Sequence, residues 1–227
     1  MLHTSQLEAN MLNSQQNEMK TDRPQSPSPP RWKGRDSMGL ASQLNRRAFD
    51  FLKEAGTQYR ELWSRLDSES IQRAAGLPFV ILDVSFTNEV CWRSASQSPE
   101  EPWQGQSSPS MWPSEVARQL MGELLVFAWH TAKWDRRVAR LSLGMSPKVA
   151  EVVAALTPQQ LDIVSGRHCA ALRLRWQDHA DFWTRLVNAS CARNELALAE
   201  LRLYAKLLLA GELVEPKKPV GGPSQRP

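Results

Sequence analysis

The sequence predicts a mainly α-helical protein with two short strands, in which two similar helical units lie between disordered ends. Three observations support this prediction. Apolar residues recur every three or four positions over most of the chain, and residues that favour helix ends flank these stretches. Alternation with a period of two is confined to 79–86 and 170–176, the predicted strands. The chain also aligns with itself when it is shifted by 90 positions, as from Leu66 to Leu156.

Composition predicts how the chain is organised. Residues 1–37 are rich in Ser, Pro and Gln, and residues 213–227 in Pro, Lys and Gly. Both have too little apolar surface to offset the entropy cost of ordering, so we expect two disordered tails. Between them we predict a first helical unit over 38–92, a Ser/Pro/Trp linker over 93–113 and a second helical unit over 114–212.

In the first unit, residues 40–65 are predicted to form a helix or a helix pair with a break near Gly56. Asp67 is expected to be the N-cap of the next helix, because its carboxylate can accept hydrogen bonds from free amides of the first turn. Gly76 is predicted to end that helix, just before the first strand.

The second unit carries more specific helix signals. Ser146 and Thr157 are each followed by Pro, which is favoured at the first helical position after an N-cap. Gln160 stands where it completes a capping box with Thr157. Gly144 and Gly166 stand where a helix takes a left-handed closing residue.

Three more helices are predicted around this core of the second unit. One of them is a long helix that precedes this core, and Ser114 is its expected N-cap. Residues 178–186 form a shorter helix after the strand, and residues 192–210 form a last helix that Gly211 closes.

The two strands are predicted to pair with each other, antiparallel and within one chain. An unpaired strand edge is a liability, and pairing would join the two units as a pseudo-dimer. Asp83 of the first strand would then face Arg173 and Arg175 of the second, which favours pairing of opposite charges over contact with a ligand. The apolar faces that would form this interface are Leu82, Val84 and Phe86 with Leu172, Leu174 and Trp176.

The internal alignment places 45–86 over 135–176 without a gap, and it places Trp92 over Phe182. Two amphipathic α-α-β stretches often align at some offset by chance. The coincidence of cap, glycine and strand phase favours a tandem of two related units.

Charge and composition bound the functional class. The net charge is +4 and the isoelectric point is near 9.1, which permits contact with nucleic acid without requiring it. Three cysteines without metal-binding spacing fit a reducing compartment. The N-terminus has no signal-peptide core, and no apolar run approaches the ~20 residues of a membrane span. We therefore expect a cytoplasmic protein without membrane contact.

No catalytic or cofactor motif is evident. The sequence lacks a nucleophile elbow, a phosphate-binding loop and a zinc-protease helix motif. His168, Cys169, His179 and Cys191 gather near the second strand, but they lack the short fixed spacings of zinc ligands. We expect a protein that is not an enzyme and holds no metal or cofactor.

A basic cluster is the first candidate for a functional surface. It consists of Arg136, Arg137, Arg140 and Lys148, at the end of one helix and the start of the next. These residues could contact DNA phosphates, which gives salt-dependent affinity, or form a solvated face paired with carboxylates. The helices after Ser146 and Thr157 could also form a helix-turn-helix, although the second has few basic residues.

Leucines of the last helix are the second candidate surface. Its apolar residues exceed what one small unit can bury, and they include Leu196, Leu203 and Leu207. A partner helix, or the same helix of another copy, is the expected destination.

The segment RLSLGMSPKVAEVVAALTPQQLDIVSGRHCAALRLRW resembles FlhD, the helical subunit of the flagellar master transcription activator. The similarity lies in the order R-x-x-LG-M, short helix, AALT-x-x-Q, short helix, alternating strand. It covers roughly 117–177, and more faintly 40–92. The family's cysteine near the strand is matched by Leu172, so no intersubunit disulfide is implied.

This resemblance implies a DNA-associated activator that works with a zinc-containing, FlhC-like protein partner and pairs with its own kind. Relatives of FlhD on integrating conjugative elements activate transfer genes. We therefore expect a cytoplasmic transcriptional regulator of flagellar-type or mobile-element transfer genes. The alternative is a helical adaptor of a secretion or conjugation system that does not bind DNA.

Overall fold

The structure of the protein is a computed structural model that describes residues 34–54, 59–101, 103 and 111–214. Within these residues the fold is mainly helical, with ten α-helices and one two-stranded antiparallel sheet. This confirms the predicted fold class.

The predicted tails fall largely outside the described residues, as does the predicted break near Gly56. Two boundaries change. The first helix already begins at Gly34 and the last continues to Val214, so helices occupy 34–37 and 213–214, which the sequence assigned to the tails.

The described elements follow one another in this order: α1 Gly34–Glu54, α2 Arg60–Ser64, α3 Ser68–Ala75, β1 Leu82–Asp83, α4 Glu89–Gln97, α5 Ser114–Trp134, α6 Arg136–Leu143, α7 Pro147–Ala155, α8 Pro158–Arg167, a 3₁₀ turn Cys169–Ala171, β2 Arg173–Leu174, α9 Ala180–Cys191 and α10 Glu195–Val214.

Three helices begin where side-chain caps were predicted. The Asp67 carboxylate accepts from the Ser70 amide, and the Ser146 hydroxyl accepts from the Val149 amide. Thr157 forms the predicted capping box with Gln160. Long helix α5 differs, because Ser114 is its first helical residue and no side chain caps it.

The predicted glycine ends are confirmed at two positions and wrong at two. Gly76 directly follows the last residue of α3, as predicted. Gly144 closes α6 with φ of +61°. Gly166 lies inside α8, because that helix continues through Arg167 and passes directly into the 3₁₀ turn. Gly211 lies inside α10, which runs three residues further.

The two strands pair antiparallel within the chain, as predicted, with Leu82 opposite Leu174 and Asp83 opposite Arg173. They are much shorter than the predicted 79–86 and 170–176. Ser85 and Trp176 adopt left-handed backbone angles, with φ of 55° and 52°, which end the extended alternation.

The chain turns in the same way after each strand. The Trp92 indole N–H donates to the Ser85 carbonyl at 3.2 Å, and the Trp183 indole N–H donates to the Trp176 carbonyl at 3.0 Å. These pairs are 91 positions apart, so Trp92 matches Trp183 and the predicted match with Phe182 is wrong by one residue.

The helix that follows each strand packs on helices of the other predicted unit. Helix α4 packs on α7 and α8, whereas α9 packs on α2 and α3. Such an exchange is what a tandem of two related units would produce, and the tandem itself remains a hypothesis.

One continuous core holds the described residues together, and it extends into the segment predicted as a linker. Helix α4 occupies the first part of that segment, up to Gln97. Trp103 and Trp112 are both buried in the core. Composition alone therefore misjudged these residues, because two large aromatic side chains tie a Ser/Pro-rich stretch to the core.

Trp103 stacks on His168, with ring centroids 4.7 Å apart. Nε2 of His168 lies 3.2 Å from the carbonyl oxygen of Pro99, and the imidazole is almost fully buried. Burial lowers the pKa of His168 because it disfavours the charged ring, while the Pro99 carbonyl works in the opposite direction.

The left-handed position of Gly144 generates a first prediction. A Cβ there would lie 2.8 Å from Cδ1 of Leu209 and 2.9 Å from Nη1 of Arg175. Gly144→Ala should therefore lower the free energy of unfolding by about 2–4 kcal/mol in urea denaturation. Gly166→Ala is the matched control: nothing lies within 4 Å of its Cβ position, so it should stabilise α8 by about 0.5–1 kcal/mol. Equal effects at both glycines would contradict this assignment.

The burial of His168 generates a second prediction. Its folded pKa lies below the ordinary value of 6.5, so the unfolded chain binds the proton more tightly. His168 therefore has no effect on the free energy of unfolding well above pH 6.5, and it lowers that free energy as the pH drops below 6.5. His168→Gln should flatten the dependence of the unfolding free energy on pH between about pH 7 and pH 5. An unaltered slope in the His168 variant would contradict the burial argument.

Candidate functional site

Helix α6 carries the three arginines of the basic cluster, and local contacts define both ends of this helix. Oδ1 of Asp135 accepts hydrogen bonds from the amides of Arg137 and Val138, at 2.8 and 3.2 Å. This cap separates α6 from the long helix α5. At the other end, the Gly144 amide donates to the Arg140 carbonyl at 3.0 Å. The eight-residue helix is therefore fixed by its own sequence.

One face of α6 packs on the core and the other meets solvent. Ala139, Ser142 and Leu143 are buried, and the Ser142 carbonyl accepts from the Val80 amide at 2.8 Å. That bond links α6 to the segment just before β1. The outward face presents Arg136, Arg137 and Arg140, as the sequence predicted, and all three are exposed.

Ion pairs divide the predicted basic cluster into two parts. Arg136 pairs with Glu151, and Lys148 pairs with Glu89, each at 3.3 Å. Neither Arg137 nor Arg140 has a carboxylate within 4 Å in the described part of the chain. The paired residues fit the reading of a solvated face, whereas Arg137 and Arg140 keep their charges available to an external anion.

Neighbouring residues that the sequence interpretation missed extend this surface. The ammonium group of Lys133 lies 3.8 Å above the ring of Trp129, and Trp134 and Leu141 are exposed. Helical spacing relates Arg137 to Leu141 at i and i+4, but it does not reach Lys133 and Trp134, because Asp135 separates α5 from α6. We call Lys133, Trp134, Arg137, Arg140 and Leu141 the α6 surface.

A shallow groove of about 390 Å³ lies between α4, α7 and α8. Its lining combines apolar residues with Glu151 and Gln160, and the Gln160 amide donates to the Ser96 carbonyl at 2.9 Å. Because Glu151 pairs with Arg136, the charge at the groove edge that adjoins α6 is compensated.

The possible helix-turn-helix receives little support from this geometry. Helix α8 would be the recognition helix, and its exposed residues include Gln159, Asp162 and Arg167. One arginine, accompanied by an aspartate, gives a nearly neutral face, whereas a major-groove helix usually meets many phosphates.

The predicted interface residues divide by location. The strand residues Leu82, Val84, Phe86, Leu172 and Leu174 are buried in the core, and Trp176 is half-buried against Phe79 and Phe182. Leu196, Leu203 and Leu207 on α10 are exposed, by 73%, 63% and 65%. The structure therefore brings the strand set together inside the fold and leaves the α10 set at the surface.

Arg175 behaves differently from the alternating pattern, which placed it on a polar strand face. Its side chain is 1% exposed and pairs with Asp83 at 3.5 Å and with Glu212. The expected pairing with Asp83 is present, but in the interior. This arginine is a structural group and offers no contact to a ligand.

The described residues offer neither a metal site nor a membrane span. They contain no cluster of three or more His, Cys, Asp or Glu side chains that could hold a metal ion. They also contain no helix with the length and apolar character needed to cross a bilayer.

Comparison with known proteins adds no relative. No protein-family model, no curated protein and no solved structure matches this chain.

Proposed function

We propose that this protein is a cytoplasmic transcriptional regulator that contacts DNA through the α6 surface and acts with a partner subunit. One observation carries the proposal: Arg137 and Arg140 are exposed side by side on α6, and neither forms an ion pair within the described residues. The resemblance of 140–176 to FlhD supplies the expectation of an activator, an FlhC-like partner, and flagellar-type or transfer genes as targets.

Phosphate contact is the chemistry that this surface supports best. Guanidinium groups bind phosphate oxygens through two hydrogen bonds, and their affinity does not require a shaped pocket. An exposed tryptophan beside them adds a flat apolar face that can pack on sugar or base. Lys133, in the last turn of α5, contributes a further positive charge.

The size of the surface explains why a partner subunit is part of the proposal. Two or three phosphate contacts give weak, sequence-independent binding, because backbone contacts carry no sequence information. Base-specific contacts must then come from another chain. The α6 surface would orient the complex on the duplex and increase its affinity.

The alternative function is that of an adaptor that does not bind DNA, in a secretion or conjugation system. The exposed leucines of α10 favour it, because a row of large apolar side chains on a surface helix usually marks a protein contact. The two functions differ in one measurable property, which is salt-dependent binding to a duplex.

The DNA-binding proposal predicts the behaviour of a triple charge reversal. Arg136, Arg137 and Arg140, each changed to Glu, should abolish binding to a labelled duplex in fluorescence anisotropy. For the wild type, the logarithm of the association constant should fall against that of the salt concentration with a slope of about −2 to −3. Single Arg→Ala changes should have small effects, because exposed charges contribute little one at a time.

The matched control changes Arg60, Arg93 and Arg185 to Glu, which alters the net charge equally. All three are exposed and have no hydrogen bond or ion pair from the side chain among the described residues. This variant should keep most of the binding, and circular dichroism should be unchanged in both. Equal loss in the two variants would show a nonspecific charge effect, and a wild type that never binds would favour the adaptor.

A further inference from the structure

Helix α10 has two apolar faces, and the fold uses only one of them. Leu198, Leu201, Ala205 and Leu209 are buried and recur at intervals of three or four residues. The opposite side carries a second row at the same spacing, which we call the α10 stripe: Leu196, Ala199, Leu203, Leu207 and Ala210. Every residue of this stripe is exposed.

We propose that the α10 stripe binds the same stripe of a second copy of this chain, with the two helices antiparallel. The proposal goes beyond DNA contact and does not depend on it. It rests on the self-complementarity of the stripe in size and in charge when one helix is reversed against the other.

The first element of complementarity is the size of the side chains. An antiparallel pair with its two-fold axis at the height of Leu201 sets Leu196 opposite the partner's Leu207. It sets Ala199 opposite the partner's Leu203. A small residue thus faces a large one twice, which lets the helices approach closely while the leucines fill the space.

The second element is charge. Glu195 and Lys206 stand eleven positions apart, which is about three turns, so they lie on the same side of the stripe. Reversal about Leu201 brings Glu195 beside the partner's Lys206, and the symmetry repeats this pair. Lys206 has no carboxylate within 4 Å in the described chain, and Glu195 makes one long contact of 3.9 Å with Arg202.

A parallel arrangement lacks both features. It would place Ala199 opposite Ala199, leaving a gap, and would separate Glu195 from the partner's Lys206 by roughly 16 Å along the axis. The antiparallel pairing has one unfavourable contact, because Glu200 lies on the other side of the stripe and comes close to its own copy. That repulsion is specific to this geometry and provides a test of it.

Sedimentation velocity of the full-length chain, from about 1 to about 200 µM, measures the pairing. The wild type should shift from monomer to dimer over this range. Leu203→Lys should remain monomeric, while the control Val90→Lys, at a side chain 76% exposed on α4, should dimerise like the wild type. A wild-type chain that stays monomeric throughout overturns the proposal and leaves the stripe to another segment or another protein. Equal behaviour of the two lysine variants also overturns it.

Charge variants test the orientation of the helices. Lys206→Glu and Glu195→Lys should each weaken the dimer about tenfold, and the double variant should restore it, since the pair is then only exchanged. Glu200→Gln should tighten the dimer, because it removes the like-charge contact. A dimer whose double variant is as weak as the two single variants combined would contradict the antiparallel pairing.

Discussion

The buried guanidinium of Arg175 makes the contacts on which the arrangement of the described elements depends. It donates to the carbonyls of Leu143 at 2.9 Å and Val80 at 3.3 Å, and it pairs with Asp83 and Glu212. A charge in the interior must be paired and hydrogen-bonded, so each of these groups is constrained by the others. Removing such a group typically costs about 3–5 kcal/mol, because its partners are left with unpaired charges. The arginine thereby joins β1, the end of α6 and α10.

Both candidate surfaces are positioned by this contact. The Leu143 carbonyl ends α6, so Arg175 holds the inner side of the helix whose outer side carries Arg137 and Arg140. Glu212 lies near the end of α10, and its pairing holds the buried face of that helix inward. The α10 stripe is then directed to solvent. Because Gly144 has no side chain, its backbone can lie next to the guanidinium of Arg175. The left-handed end of α6 therefore depends on the same contact.

Much of the fold could be predicted from the sequence because local interactions decide it. Ser146, Thr157 and Asp67 form their caps with amides only three residues away, so short-range spacing was sufficient. The strand pairing followed from matching alternation.

Gly166 was misassigned because its role depends on whether the next turn continues the helix. The burial of Arg175 and Trp103 depends on partners far along the chain, and periodicity carries no information about those. The exposed arginines were found from the sequence, but their division into paired and unpaired depended on Glu151 and Glu89.

We expect that Arg175 and the strand pair join the two halves of the chain, before and after the predicted linker, into one cooperative unit. Helices α4 and α9 each pack on the opposite half. Hydrogen exchange measured by mass spectrometry at rising urea concentrations tests this coupling directly. Peptides from α3 and from α8 should converge on one opening free energy in the wild type, and Arg175→Met should lower both by the same amount. Exchange of one half while the other stays protected, or an effect of Arg175→Met on only the half that contains it, would contradict this coupling.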